Sequence, residues 1–373
     1  MGGPIVVTGG GTGGHIFPMR AIGEELIATG VAPGSIHYVG SRRGQESSLL
    51  AQQPIDLTLL PGRGIRRSWR PRAMAQNLGA ATGLAVAFVV AFLRVGRWRP
   101  SVVVSVGGYA AAAVGAAAVL WRRPLVLVEL DASPGVVHRI LARFASRRCL
   151  AYGPGDERSV VTGVPLGHDV IAVDRGIEAR ERSRRTMDPP IEPGRTVVVA
   201  MSGSLGATRV NDAVSDLAHR WSRRTDRTII HVSGRRDASR VLARRQPTDG
   251  LDYRIIEFAA MAPLWSVADV AVCRAGATTV AELTALGIPS VLVPLPGAPG
   301  DHQTRNARAV ADSGGALLVR DEDCDGAALE SALERLLTPD EWERATDAAR
   351  RLGHLDAATA IARVVLDVGG WPR

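Results

Sequence analysis

Twice in this 373-residue chain a short apolar run empties into a glycine-rich turn, and the two places stand about half a chain apart. The first is Ile5-Val6-Val7-Thr8 followed by Gly9-Gly10-Gly11-Thr12-Gly13-Gly14-His15. The second is Thr196-Val197-Val198-Val199-Ala200 followed by Met201-Ser202-Gly203-Ser204-Leu205-Gly206-Ala207. A buried strand that passes through a tight glycine turn into a helix leaves backbone N–H groups at the helix start, where a phosphate or a developing anion is stabilised. Two such places predict two doubly wound α/β domains facing each other across a cleft, an arrangement suited to nucleotide-sugar chemistry.

The chain is long enough for two cores, and 46% hydrophobic with 22% charged residues is ordinary for a globular protein. Its formal net charge is +8, and the 45 basic side chains are all arginine. Without lysine, a Walker phosphate lysine, a Schiff base and a lysine general base are excluded. Only 4% of the residues are aromatic, which leaves little to stack bases on, so nucleic acid is not expected as a partner. Cys149, Cys273 and Cys324 are scattered and match neither a disulfide framework nor a zinc pattern, which fits a reducing cytoplasm. Met1-Gly2-Gly3-Pro4 leads directly into the first strand, so no signal peptide is expected.

Residues 78–93 (LGAATGLAVAFVVAFL) are almost wholly apolar. They are flanked by Arg63, Arg66, Arg67, Arg70 and Arg72 before and by Arg94, Arg97 and Arg99 after. The stretch is shorter than the roughly 20 residues that span a bilayer. One reading is a helix buried in the first domain. The other is a helix that shows an apolar patch inside an arginine collar to an anionic lipid surface. The two are compatible if each takes one face.

Strands are expected at residues 5–8, 36–39, 102–106 and 125–128, with helices such as 17–29 and 136–145 between them. Such alternation predicts a parallel sheet covered on both faces. The second half repeats the plan, with strands at 196–200, 228–232, 254–257, 270–273 and 290–293 and helices at 210–221, 278–286 and 306–313. Between the halves, residues 174–195 are dense in charge and carry Pro189, Pro190 and Pro193, so that 166–195 reads as a linker. The expected domains are therefore 1–165 and 196–353. A terminal helical stretch, 354–373, packs back on the first.

Gly9-x-Gly11-x-x-Gly14 satisfies the dinucleotide fingerprint, but the second strand ends in Ser41-Arg42-Arg43 where a nicotinamide enzyme places an acid for the ribose. Arginines there leave NADP open, while His15 and the second glycine turn argue against a dinucleotide oxidoreductase. His15 stands at a helix start, whose dipole favours the neutral imidazole by about 0.3–1 kcal/mol, the form a general base needs. The competing account is a histidine that only hydrogen-bonds the turn. His37, His138, His219 and His354 read as structural, and no Ser-His-Asp arrangement is apparent. In Arg274-Ala275-Gly276-Ala277-Thr278-Thr279-Val280-Ala281-Glu282 a small-residue turn precedes a helix whose first turn suits a pyrophosphate. Glu282, a turn further on, can accept from both hydroxyls of a ribose. The Pro/Gly-rich loop from Pro294 presents Asp301, His302 and Gln303, groups suited to an uncharged sugar, although Asp301 can equally be a plain helix cap. Asp321-Glu322-Asp323 reads as a solvated turn, and no metal site is expected.

The stretches GGGTGGHIFP (9–18), SVGGY (105–109), GSLGA (203–207), CRAGATTVAEL (273–283) and DHQTRNA (301–307) are similar, in the same order, to the motifs of the MurG family. That family comprises membrane-associated N-acetylglucosaminyltransferases that convert lipid I to lipid II in peptidoglycan synthesis. The resemblance implies a GT-B fold and an inverting transfer from UDP-GlcNAc that needs no metal or other cofactor. It implies catalytic roles for His15 and Glu129. For the donor it implies Ser204, Ala259, the stretch Ala277, Thr278, Thr279, Val280, Ala281 and Glu282, and Gln303, joined by Thr12, Gly13, Gly14 and Asp131. For the acceptor it implies Gly11, Thr12, Gly13, Gly14, Gly107, Gly108 and Tyr109. The partners implied are an undecaprenyl-diphosphate-linked acceptor, the anionic inner-membrane surface and the cell-wall synthesis machinery, with the protein peripheral on the cytoplasmic face of the membrane.

The chain departs from the family pattern at three places. His-Glu-Gln-Asn is here Val128-Glu129-Leu130-Asp131, an expected arginine is Gly167, and the glutamine of Gly-Ser-Gln-Gly is Leu205. These departures keep open a paralogue acting on a modified lipid intermediate or secondary metabolite, a UDP-sugar epimerase, and a non-catalytic GT-B scaffold.

Overall fold

The computed structural model describes residues 2–11, 13–42, 44, 46–50, 53–61, 71–203 and 206–371, with the side chains of the helix that begins at Pro71 described from Thr82 on. Two units form, one from Met1–Gly167 with Leu355–Arg373, the other from His168–His354.

Among the described residues the first unit holds β1 (Ile5–Thr8), β2 (Ile36–Ser41), β3 (Asp56–Leu60), β4 (Val102–Ser105), β5 (Leu125–Glu129), β6 (Arg147–Leu150) and β7 (Ser159–Val161). They make one parallel sheet in the order β3-β2-β1-β4-β5-β6-β7, with Ile5 opposite both Ile36 and Val102. The central strands are apolar on both faces because both are covered. Val6, Val103, Leu125 and Leu127 pack with the helices Pro71–Trp98, Tyr109–Leu120 and Val136–Leu141. Val102, on the opposite pleat, meets the end of the Ala357–Gly369 helix at Gly369. Small residues let these helices approach closely: a Cβ on Gly115 would lie 2.5 Å from Leu141 Cδ1, and one on Gly96 2.5 Å from the Trp121 ring.

The apolar stretch within Pro71–Trp98 divides between its two readings. Ala87, Ala91 and Val95, four residues apart, are buried in the core, whereas Val86, Val89 and Leu93 are 53%, 55% and 64% exposed. Arg94 and Arg97 continue the exposed side. Arg63, Arg66, Arg67 and Arg70 lie outside the described residues. Among the described residues no helix is long and apolar enough to cross a membrane.

In the second unit β8 (Thr196–Met201), β9 (Arg227–Val232), β10 (Asp252–Ile256), β11 (Val270–Cys273), β12 (Ser290–Leu292) and β13 (Ala316–Leu318) form a parallel sheet in the order β10-β9-β8-β11-β12-β13. Val198, Val272 and Val291 share a core with Val210, Val214 and Leu217 of the Thr208–Arg220 helix and with Leu329 and Leu333 of the Gly326–Leu336 helix.

Residues 168–195 are not a free linker: they belong to the second unit. Two of the charges that suggested a connector are spent inward. Arg180 and Arg184, on the Ile177–Thr186 helix, bind the two carboxylate oxygens of Asp269 at 2.5 and 2.6 Å, and Val197 N donates to the same carboxylate at 2.8 Å. Arg184, 6% exposed, also donates to Val267 O at 2.9 Å. At the C-terminus, the Pro339–Leu352 helix stays with the second unit, and the Ala357–Gly369 helix returns to the first.

Candidate active site

Each sheet reverses its winding once, between β1 and β4 in the first unit and between β8 and β11 in the second. The turns leaving the carboxyl ends of such strands diverge, and ligands bind in the crevice that results. The two glycine turns of the sequence open at these two points.

In the first unit Gly10 and Gly11 adopt φ of 119° and 103°, and Gly107 and Gly108, beyond β4, adopt 98° and 90°. These are values that side chains with a Cβ resist. The two turns meet backbone to backbone, since a Cβ on Gly108 would lie 2.3 Å from the Gly10 carbonyl oxygen. Gly13 and Gly14 open the Gly13–Ala28 helix, and His15 follows, partly buried. A Cβ on Gly107 would stand 3.3 Å from His15 Nε2. Gly11, Gly13, Gly14, His15, Gly107, Gly108 and Tyr109 thus gather at one strand edge, with the Tyr109 hydroxyl donating to Pro61 O at 3.1 Å. Thr12 lies outside the described residues.

One member of this site has no signal in the sequence. Glu46 is fully buried, and its Oε1 accepts from Gly11 N at 2.9 Å and from Ser41 N at 2.7 Å. It ties the first glycine turn to the end of β2. Glu129 ends β5 and is 5% exposed, with Oε2 2.9 Å from His138 Nδ1. His138 Nε2 in turn is 2.8 Å from Ser105 Oγ. His138 is therefore more than a filler of the core, and a Ser–His–acid series exists that linear spacing conceals. Asp131 follows in the turn after β5, where its charge adds to burial in raising the Tyr152 pKa.

In the second unit Gly203 and Gly206, at φ of 86° and 87°, pack on Gly234, whose added Cβ would lie 2.3 Å from Gly206 N. Ser204 and Leu205 lie outside the described residues. A buried network supports this turn. Asn211 Nδ2 donates to Ser233 O at 2.9 Å and to Asp237 Oδ2 at 3.1 Å, while its Oδ1 is 2.9 Å from His231 Nε2. His231 Nδ1 is 2.8 Å from the Tyr253 hydroxyl. Burial pushes the His231 pKa down to about 4. The neutral ring therefore donates from Nε2 to Asn211 and accepts the tyrosine proton at Nδ1.

Beyond β11, Gly276 precedes the Ala277–Leu286 helix, whose start carries no side-chain cap. The N–H groups of Ala277, Thr278 and Thr279 come before the first bond of the helix, from Val280 N to Gly276 O. Arg274 braces the preceding turn against Val293 O and Pro294 O at 3.1 and 3.0 Å and against Asp321 at 2.6 Å. Glu282 accepts from Trp265 Nε1 at 2.7 Å. Burial raises its pKa to about 7, helped by the Asp169 charge and opposed by the tryptophan bond. Gln303 Oε1 accepts from Leu295 N at 3.0 Å, which fixes the amide and leaves its NH₂ as a donor. Asp301, at φ 54°, precedes the His302–Ala311 helix but makes no side-chain cap; its Oδ1 accepts from the Thr304 hydroxyl. Ala259 follows β10 beside the exposed Phe258, over which Arg235 sits at 4.8 Å. The acidic triplet is solvated at Glu322 and Asp323, which are exposed and pair with the equally exposed Arg320, while Asp321 is drawn in by Arg274. Among the described residues no group of three His, Cys, Asp or Glu side chains is placed to hold a metal ion.

Residues 5–149 match the model of the glycosyltransferase family 28 N-terminal domain, and residues 196–361 that of the C-terminal domain. A UDP-N-acetylglucosamine–N-acetylmuramyl-(pentapeptide) pyrophosphoryl-undecaprenol N-acetylglucosamine transferase of Alkalilimnicola ehrlichii is 36% identical, with 98% of each chain covered. The protein of the same name from Desulforudis audaxviator is 32% identical at the same coverage. Among solved structures, Acinetobacter baumannii MurG superposes with a TM-score of 0.75 at 26% identity, covering 98% of this chain and 99% of that one. The calicheamicin glycosyltransferase CalG4, at 0.68 and 16%, shares the fold, as does a putative UDP-N-acetylglucosamine 2-epimerase of Listeria monocytogenes at 0.66 and 14%. With two matched domains, glycine turns at both switch points and full-length relatives a third identical, the chain belongs to glycosyltransferase family 28, in its MurG family, and is a glycosyltransferase of GT-B fold.

Proposed function

We propose that this protein transfers GlcNAc from UDP-GlcNAc to an undecaprenyl-diphosphate-linked muramoyl peptide, forming lipid II from lipid I in peptidoglycan synthesis. The observation that carries the reading is likeness along 98% of the chain to relatives named for this transfer. The glycine turns, the helix start at Ala277 and the Gln303 amide described above support it in kind. In the second unit the first turn of the Ala277–Leu286 helix meets the diphosphate, Glu282 the ribose and the Gln303 amide the sugar, with Ser204 and Ala259 as further donor contacts. In the first unit the turns at Gly11–Gly14 and Gly107–Tyr109 hold the acceptor diphosphate. The acceptor hydroxyl attacks the anomeric carbon opposite UDP, His15 takes its proton, and the bond to UDP breaks with inversion. Backbone N–H groups carry the charge of the leaving diphosphate, and no metal or cofactor is given a part.

The exposed stripe of Val86, Val89 and Leu93 beside Arg94 and Arg97 gives the protein a docking face for the anionic cytoplasmic leaflet. Fully burying each such side chain contributes about 1.5–3 kcal/mol. Val89→Asp with Leu93→Asp is expected to weaken sedimentation with anionic vesicles while leaving UDP binding intact. The deciding experiment is incubation with UDP-GlcNAc and lipid I. UDP release with a product heavier by one N-acetylhexosamine is expected; UDP-GlcNAc consumed without an acceptor overturns the reading in favour of epimerisation.

A further inference from the structure

Ser105, His138 and Glu129 are hydrogen-bonded in series beneath the first unit's turns, and the transfer as described gives the series no task. Ser105 ends β4, Glu129 ends β5, and His138 sits on the Val136–Leu141 helix just beyond. They are 0%, 5% and 4% exposed in that order. The direction of the bonds follows from what each group can do. An ionised carboxylate only accepts, so His138 Nδ1 carries a proton and donates it to Glu129 Oε2. On the neutral ring Nε2 is then the acceptor, and the Ser105 hydroxyl donates to it.

That order is the one used to activate a serine nucleophile, but a serine with no exposed surface cannot reach a substrate. Ser105 closes the series at its inner end. The outer end is the ring edge of His138. A methyl group built on Gly107 would lie 3.8 Å from His138 Cε1 and 3.3 Å from His15 Nε2, so the two imidazoles flank one glycine. Among the described residues Glu129 Oε1, meanwhile, is buried and has no hydrogen-bond partner, so part of the carboxylate's charge is left uncompensated by them.

We propose that Glu129 and His138, locked by Ser105, are positioning residues for the transfer. They seat Gly107 and the His15 ring, and they hold a buried negative charge near where the His15 imidazolium forms. The inference rests on the reading that His15 takes the acceptor proton. In that step the acceptor O–H bond breaks, its proton goes to His15, its oxygen bonds the anomeric carbon, and the electron pair of the sugar–phosphate bond leaves on UDP. No proton passes to His138, because its Nδ1 already donates to Glu129 and its Nε2 already accepts from Ser105, leaving neither ring nitrogen open to His15. Since the positive charge exists only as the reaction proceeds, the contribution belongs to kcat and not to KM.

The test uses the full chain with UDP-GlcNAc and lipid I. Glu129→Gln keeps an oxygen to receive the His138 N–H but removes the charge. It is expected to lower kcat about tenfold to a hundredfold with both KM values within about threefold, and Glu129→Asp is expected to recover part of the loss. A downfield, slowly exchanging imidazole N–H signal, absent from His138→Asn, is expected in the proton NMR spectrum. Should the glutamine variant not fold, Ser105→Ala carries the test: a smaller fall in kcat at unchanged KM is expected. Transfer by the unaltered chain with unchanged kcat in these variants overturns this inference alone, as does a fall that only tracks lost thermal stability. No transfer by the unaltered chain overturns the parent reading and this one with it.

Discussion

Two ionisable side chains of the second unit pull its stability in opposite directions as pH changes. His231 stays neutral when folded, its pKa lowered by burial from 6.5 to about 4. Below its ordinary value the unfolded chain binds a proton that the folded one refuses, so stability is lost as pH falls from 6.5 toward 4, by about 1.4 kcal/mol per unit. Glu282, raised from 4.5 to about 7, does the reverse. The folded form keeps a proton the unfolded chain has released, and stability is lost as pH rises from 4.5 to 7. The slopes oppose across the shared range, so single variants are needed to see either. Glu282→Gln is expected to raise the melting temperature at pH 8 and to steepen the acid loss, whereas His231→Gln removes that acid loss; thermal unfolding between pH 4.5 and 8 checks both. A ribose needs the ionised carboxylate of Glu282, so UDP affinity is expected to rise with pH up to about 7, with proton release visible in calorimetry. Glu46→Ala leaves Gly11 N and Ser41 N without their acceptor. It is expected to destabilise the first unit by about 1–3 kcal/mol and to raise KM for the acceptor, measured by denaturant unfolding and initial rates. Glu282 was legible because it lies one helical turn beyond a recognisable strand–turn–helix. Glu46 was not: its space exists only because Gly10, Gly40 and Gly44 lack a Cβ, each of which would lie within 3 Å of the carboxylate side chain. The partners of His138 were hidden for a similar reason, since they come from two other elements.

At the scale of elements, the central strands could be read directly, because β1, β4, β5, β8 and β11 are buried on both faces and written in unbroken apolar runs. The outer strands β3, β6, β7 and β13 were not identified. Arg147-Arg148-Cys149-Leu150, the strand next to the edge, shows how the sheet's periphery admits charge: only Cys149 is buried, while Arg148 pairs with Asp156 at 2.7 Å. The segment before β8 was misread as a connector because charge density says nothing of where the charges point. Arg180, Arg184 and Val197 N all converge on Asp269. Asp269→Ala would strand two guanidinium groups in a mostly buried setting, at a cost of about 3–5 kcal/mol. The expected outcome is a second unit that unfolds at lower denaturant concentration, with early loss of amide protection in residues 177–186; unchanged exchange there would show that apolar packing alone holds the helix.

At the scale of the molecule, the first unit is discontinuous in sequence. Its last helix buries Ala357, Ala358, Ile361, Ala362, Val365 and Leu366. Beside it, Thr359 donates to Glu25 and the Trp371 indole to Ser101 Oγ, at 2.8 and 2.9 Å. A chain ending at His354 is therefore expected to keep the melting and UDP binding of the second unit while the first becomes sensitive to protease. Restoring protection with a separate 355–373 peptide would show that packing, and not chain continuity, is what matters. The returning helix also has a bearing on biosynthesis. A ribosome delivers residue 25 long before residue 359, so the lobe begun first is finished last, after the one begun second has already closed. A nascent lobe waiting with one flank bare invites a chaperone to cover it, and pausing translation before residue 355 would prolong that wait.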